Sequence, residues 1–157
     1  MSSETMPTAT RATIAELPSL LGVPLGPSTW RPITQAEVDT FADVTGDHNP
    51  IHLDPAFAAG TPFGGTIAHG YLTLSLVVPM MAELVQVVEV GTAINYGLDK
   101  LRFPAPVPVG SRVRASTTLT ALDQVPGGVQ AHWSTTIEVE GSAKPAVVAA
   151  MIVRYYA

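Results

Sequence analysis

Residues 68–88 read AHGYLTLSLVVPMMAELVQVV. Leu72, Leu74, Leu76, Val77, Val78, Met80, Met81, Leu84 and Val85 leave no consistently polar side, so the segment predicts a helix that must be enclosed by the rest of the chain. Its uncharged core, Tyr71 to Ala82, contains Pro79 and is too short to cross a bilayer, which takes ~20 apolar residues. On this reading Met80 and Met81 are core side chains.

Downstream the pattern changes to a period of two. Val113, Ala115, Thr117, Leu119 and Ala121 alternate with Arg112, Arg114, Ser116, Thr118 and Thr120, and Val129, Ala131, Trp133, Thr135, Ile137 and Val139 alternate with polar neighbours. Pro126-Gly127-Gly128 supplies the turn between them. Ala146 to Tyr156 is apolar on both faces, which predicts a central or covered strand. Thr92 to Phe103 is extended, and its alternation slips between Leu98 and Leu101, which predicts a bulge at Asp99-Lys100. Consecutive antiparallel strands after one apolar helix leave few packings. A strongly curved antiparallel sheet wrapped around the helix covers both, whereas a flat sheet with helices on one side leaves the helix wet. The fold class expected is therefore α+β.

Upstream, Gly60-Thr61-Pro62-Phe63-Gly64-Gly65 is a link, preceded by a polar loop, residues 47–55, pinned by Pro50 and Pro55. A helix is expected from Thr34, which forms a capping box with Glu37, with Val38, Phe41, Ala42 and Thr45 on its inner face and Gly46 ending it. Gln35, Asp39, Thr40 and Asp43 make its polar face. Residues 11–32 hold Pro18, Gly22, Pro24, Gly26, Pro27 and Pro32 and allow only a short helical turn and extended pieces. Residues 1–10 read as a flexible tail, and 11–157 as a single domain, the size that 157 residues allow.

Composition narrows the function. Only 13% of residues are charged and 46% are hydrophobic, against about 25% charged in a typical domain. The chain is expected to bury apolar surface against a second copy. With 8 Lys+Arg against 13 Asp+Glu, the net charge of −5 disfavours nucleic acid. Lys100, Arg102, Arg112 and Arg114 nevertheless cluster, which leaves a local anion site open. The absence of cysteine excludes disulfides, thiolate-zinc sites and thiol catalysis. The opening MSSETMPTATRATIAEL has no charged segment leading into an apolar run, so no secretory leader is expected and a cytoplasmic location is.

Four groups that exchange protons or bind metals share one eight-residue stretch: Asp47, His48, His52 and Asp54. They can be turn and cap residues. They can ligate a metal, which would need a third donor from His69 or His132. Or Asp47 and His52, on either side of a rigid Asn-Pro turn, can converge on one water for acid–base chemistry.

Asp47-His48-Asn49-Pro50-Ile51-His52-Leu53-Asp54, followed by Phe63-Gly64-Gly65-Thr66-Ile67-Ala68-His69-Gly70, resembles the signature of the MaoC-like (R)-specific enoyl-CoA hydratases, or hydratase 2. Lys100-Leu101-Arg102-Phe103-Pro104-Ala105-Pro106-Val107 with Gly110 is similar to that family's next strand and turn. The likeness spans about residues 30–157 and is greatest to the small bacterial members with a single domain of this kind. It implies a hotdog fold, a homodimer, and reversible hydration of trans-2-enoyl-CoA to (R)-3-hydroxyacyl-CoA without metal or redox cofactor. It implies Asp47 and His52 as the catalytic pair, Asn49 as a loop-ordering residue, Gly70 as the backbone donor to the thioester oxygen, and Phe103 as an acyl-CoA contact. His48 falls at a variable position and takes no role. His69 is expected to bond its ring to loop backbone at the helix start. The same fold also serves thioesterases and acyl-carrier-protein dehydratases, and the Asp-x-Asn-Pro-x-His spacing favours hydration among them; a non-catalytic acyl-CoA-binding or partner subunit is a third class, which the presence of both proton-transfer residues argues against.

Overall fold

The computed structural model describes residues 8–157. Residues 1–7, most of the expected tail, lie outside the described residues. Thr10 is already in a strand: β1 (Thr10–Ala12) pairs in parallel with β4 (Val85–Val87), Thr10 opposite Val85. A 3₁₀ helix, Ile14–Leu20, follows and buries Leu17. β2 (Pro24–Leu25) and β3 (Arg31–Pro32) both lie along the outer edge of β6 (Arg112–Val125). The main sheet then runs β6, β7 (Gly128–Val139), β8 (Val147–Tyr156) and β5 (Thr92–Arg102), all antiparallel.

The period-two reading places the core face of this sheet. Val129, Ala131, Trp133, Thr135, Ile137 and Val139 are all buried, as are Val113, Ala115, Thr117 and Leu119. Beyond Leu119 the reading is wrong. A register shift between Leu119 and Ala121 takes Thr120 out of step, so Ala121 is exposed and Leu122 turns toward the core. On β5 a shift falls between Leu98 and Lys100, as expected, and a second between Asn95 and Gly97. β8 sits between β7 and β5, the central place its apolar faces required.

The segment 68–88 is not one helix. α4 (Gly70–Ser75) stops, Leu76 forms a turn, α5 (Val77–Leu84) resumes, and the chain becomes β4 at Val85. Pro79 has no N–H to offer the carbonyl of Ser75, which breaks the ladder there. Val85, Val87 and Val88 favour extended backbone, and β1 provides a strand to pair with. Nor is the helix enclosed by its own chain. α5 packs on β6 and α4 on β8 through Leu72, Val77, Met80, Met81 and Leu84, while Tyr71 is 67% and Val78 51% exposed. Among the described residues no helix is long and apolar enough to cross a membrane.

The helix from Thr34 has the ends expected, α1 (Gln35–Thr45) beginning with the Thr34–Glu37 capping box and ending at Gly46, whose φ of 78° is the left-handed turn that glycine adopts without strain; Val38 and Ala42 are buried as read, but Thr45 is exposed. Two threonines interrupt the apolar core of the sheet. Thr117 and Thr135 are cross-strand partners, both buried, and their hydroxyls bond each other at 2.7 Å. Trp133 is the largest fully buried side chain. Trp133→Ala is expected to cost about 3–5 kcal/mol in urea denaturation; a loss below about 1 kcal/mol would mean that the sheet core does not rest on this ring.

Candidate active site

Two short helical turns follow α1. Asn49 caps α2 (Pro50–Leu53), its side chain accepting from the Ile51 N–H at 3.2 Å, with Pro50 at the first helical position. Asp54 ends α2 and caps α3 (Pro55–Ala59), accepting from the N–H groups of Ala56 at 2.9 Å and Phe57 at 3.0 Å. Asp54 is therefore a structural cap. His48 turns outward and pairs with Asp43 at 2.9 Å, a bond that raises its pKa.

His52 turns inward. Only 7% of the residue is exposed, and Nδ1 lies 2.7 Å from the carbonyl oxygen of Ile67. A carbonyl can only accept, so Nδ1 carries the proton and Nε2 of the neutral ring keeps a bare lone pair. Burial pushes the His52 pKa down, the Ile67 carbonyl pulls it back up, and His69 and Asp47 add smaller effects of opposite sign. The net shift is downward, which favours the neutral, basic ring.

His69 occupies the cap position before α4, and its Nε2–H donates to the main-chain carbonyl of Asp47 at 3.0 Å. That is the backbone bond expected of it. Its ring also stacks on His52, centroids 3.8 Å apart and 30° between planes, and meets the tilted Phe41 ring with centroids 4.8 Å apart. The sequence carried no sign of that stack. The Asp47 carboxylate is solvent-exposed and accepts weakly from the Asn49 N–H at 3.4 Å.

Ligand-type atoms of Asp47, His52 and His69 lie within 4.8 Å of one another, so His69 supplies the third donor that a metal site needed. His132 is elsewhere, on β7 beside Asp123 at 2.8 Å. Each ring has one nitrogen committed to a main-chain carbonyl, so each histidine could offer a metal a single nitrogen. Acid–base work asks less: a carboxylate and one bare imidazole nitrogen near the same point.

His52 opens into a cleft of about 400 Å³ lined by Phe63, Ile67, Ala68, Gly70, Thr73, Ala146 and the run Phe103 to Val107. Gly70 is the first residue of α4, where backbone N–H groups lack intrahelical partners. A Cβ there would stand 3.1 Å from the Phe103 ring, so glycine lets the backbone approach that ring. Phe103 in turn meets Tyr71 edge-on at 6.0 Å. The structure thus gathers His52, Gly70 and Phe103 on one cleft with Asp47 beside the histidines, and leaves Asn49 at the cap that shapes the loop.

The basic cluster divides. Arg112 and Arg114 form cross-strand ion pairs with Glu140 and Glu138, and both lie over the Trp30 ring, at 5.8 and 4.1 Å. Lys100 and Arg102 are exposed on β5, the strand that leads into Phe103. Sequence reading missed Gln35, taken as part of a solvated face: its side-chain amide reaches the His52 carbonyl at 2.8 Å.

Residues 16–141 match the family model described as "MaoC like domain". The chain is 57% identical over 145 residues to the 3-hydroxyacyl-thioester dehydratase Z of Mycobacterium tuberculosis (strain ATCC 25618 / H37Rv), covering 92% of this chain and 96% of that protein. It is 42% identical over 87 residues to the (R)-specific enoyl-CoA hydratase of Aeromonas caviae, covering 55% of this chain and 62% of that one. The solved structure of the (R)-hydratase from A. caviae involved in PHA biosynthesis superposes with a TM-score of 0.67 at 37% identity, over 80% of this chain and 89% of that one. The α+β architecture is the hotdog fold of those structural relatives, with the central helix broken at Leu76. By the extent of the family match and by its relatives, this chain is a member of the MaoC-like dehydratase family.

Proposed function

We propose that the protein is a lyase that adds water reversibly to a trans-2-enoyl thioester carried on coenzyme A, giving the (R)-3-hydroxyacyl thioester, with no metal or redox cofactor. The observation that carries this reading is the bare Nε2 of a buried, neutral His52 at the wall of an apolar cleft, beside the Asp47 carboxylate. The names of two relatives, a 3-hydroxyacyl-thioester dehydratase and an (R)-specific enoyl-CoA hydratase, support loss or gain of water on an acyl thioester.

The chemistry follows from the donors and acceptors. Water placed between Asp47 and His52 gives one proton to Nε2 as its oxygen bonds to C3, while the carboxylate accepts a hydrogen bond from the other O–H. The C2–C3 π electrons move toward the thioester, whose oxygen takes up charge. A donor aimed at that oxygen is required, and we assign that role to the Gly70 N–H, at the start of α4 on the cleft wall. The proton then returns to C2 from the same side, which makes the addition syn. Lys100 and Arg102, without a carboxylate partner among the described residues and next to Phe103, are the cations we assign to the coenzyme A phosphates; Arg112 and Arg114 are held by glutamates.

The active form proposed is a homodimer. β5 is an edge strand whose Ile94, Tyr96 and Leu98 are exposed, Tyr96 to 54%, beside the uncovered Val78. Unpaired strand edges and apolar side chains in one place favour burial against a second copy.

Three outcomes test the reading. Purified protein should remove the conjugated-thioester absorbance of crotonyl-CoA and yield the (R)-3-hydroxy product on a chiral column; Asp47→Asn and His52→Ala should each lower the rate by about 10²–10⁴-fold with circular dichroism unchanged. Wild-type rates in both variants, or release of free thiol in place of hydration, would overturn it. In a pH–rate profile, kcat/KM should fall only when His52 is protonated; because burial lowers its pKa, the acid limb should lie below the ordinary imidazole value of 6.5, and a limb above it would contradict a buried neutral base. Light scattering should give twice the 16.4 kDa chain mass, and a monomer at micromolar concentration would remove the dimer.

A further inference from the structure

α2 is a single turn of four residues. A turn that short has no stability of its own, because nucleation costs more than its one or two bonds return. Something outside it must therefore fix the ring of His52, and the bonds around that residue form a closed circuit. Gln35, the first residue of α1, donates from Nε2 to the His52 carbonyl at 2.8 Å and to Asp39 Oδ1 at 2.8 Å. Its Oε1 accepts from the Thr66 hydroxyl at 2.8 Å. The amide orientation is settled by its partners: the His52 carbonyl and the Asp39 carboxylate only accept, so the NH₂ must face them.

Thr66 closes the circuit. The next residue, Ile67, offers the carbonyl that receives His52 Nδ1–H at 2.7 Å, and its own N–H donates to Ile51 at 3.1 Å. The Thr66 carbonyl is meanwhile anchored by the Val109 N–H at 2.9 Å. The main chain of His52 is thus tied through Gln35 to Thr66, and its ring is tied to the carbonyl of Ile67, the residue that follows Thr66. The two ends of one residue are referenced to the same short segment. Both N–H donors of the Gln35 amide and one of its two acceptor sites are used within the protein, which a residue on a merely solvated face has no need of.

We propose that Gln35 and Thr66 form a positioning clamp: they set where the His52 ring meets the Ile67 carbonyl and hence where its bare Nε2 points, without touching the substrate. The kinetic arm of the test rests on the hydration reading above; a second arm does not.

Gln35→Met keeps the length and removes every bond. Thr66→Val removes the hydroxyl at constant shape, and Thr66→Ser restores it. Gln35→Met should lower kcat by about 10- to 100-fold with KM within about twofold. Thr66→Val should give a smaller loss, Thr66→Ser should match the wild type, and the Gln35→Met/Thr66→Val double variant should be no slower than Gln35→Met alone, since one circuit breaks once. Independently of any activity, long-range ¹H–¹⁵N spectra should show His52 protonated at Nδ1 in the wild type and mixed between tautomers in Gln35→Met. Unchanged kcat with an unchanged His52 spectrum, or losses that multiply in the double variant, would overturn the clamp. A wild-type protein that hydrates nothing would remove the functional reading alone, and the spectra would still decide the clamp. If Gln35→Met does not fold, the Thr66→Val and Thr66→Ser pair decides by the same readouts.

Discussion

The bond between His52 Nδ1 and the Ile67 carbonyl is the constraint on which the rest of the site depends. It selects the tautomer, and so makes Nε2 the lone-pair nitrogen. It joins α2 to the segment before α4, across α3 and the glycine-rich link. Burial of the ring makes the bond effective, because water cannot compete for the carbonyl, and the same burial keeps the ring uncharged. The stack with His69 then places a second imidazole against the first, and the His69 bond to the Asp47 carbonyl brings the carboxylate's own loop into the assembly. One short hydrogen bond therefore determines both the chemistry and the meeting of three chain segments.

The strands were readable because alternation is a local signal and most of each strand keeps it. Where it failed, at Thr120, the cause is an extra residue relative to β7, and Ala121, small enough to continue the alternation from Leu119, hid a slip of the kind that Leu98 and Leu101 reveal on β5. The helix from Thr34 was readable to the residue, since its capping box and its glycine are both encoded in side-chain identity. The segment 68–88 was misread for a different reason. Its hydrophobicity is real, but the division at Leu76 follows from the missing N–H of Pro79, and the strand at Val85 follows from pairing with residues more than seventy positions earlier. Hydropathy registers neither.

The site divides along the same line. Asp47, Asn49 and His52 share one loop, and their spacing around Pro50 allowed a convergent acid–base pair as one of three readings, while the cap that Asn49 makes on α2 is seen in the structure. Ile67 contributes a carbonyl oxygen, which any residue has. Gln35 and Thr66 are ordinary polar residues in two other segments, and only the fold reveals that they share a bond. The clustered cations show the opposite error: four basic residues close in sequence prove to be two ion-paired arginines on β6 and two exposed cations on β5. Sequence proximity grouped what strand direction and partner choice separate.

The hydroxyl pair at the centre of the sheet has a consequence for assembly. Thr117 and Thr135 are satisfied chiefly by facing each other, with Ala115 opposite Ile137 on one side and Leu119 opposite Trp133 on the other. If β6 slid along β7 by two residues, each side chain would still point to its proper face, so the apolar pattern alone would tolerate the mistake. The slide would set each threonine against an apolar side chain and strand two hydroxyls in a dry interior. Two small polar groups thereby act as an alignment mark that only the correct register can read.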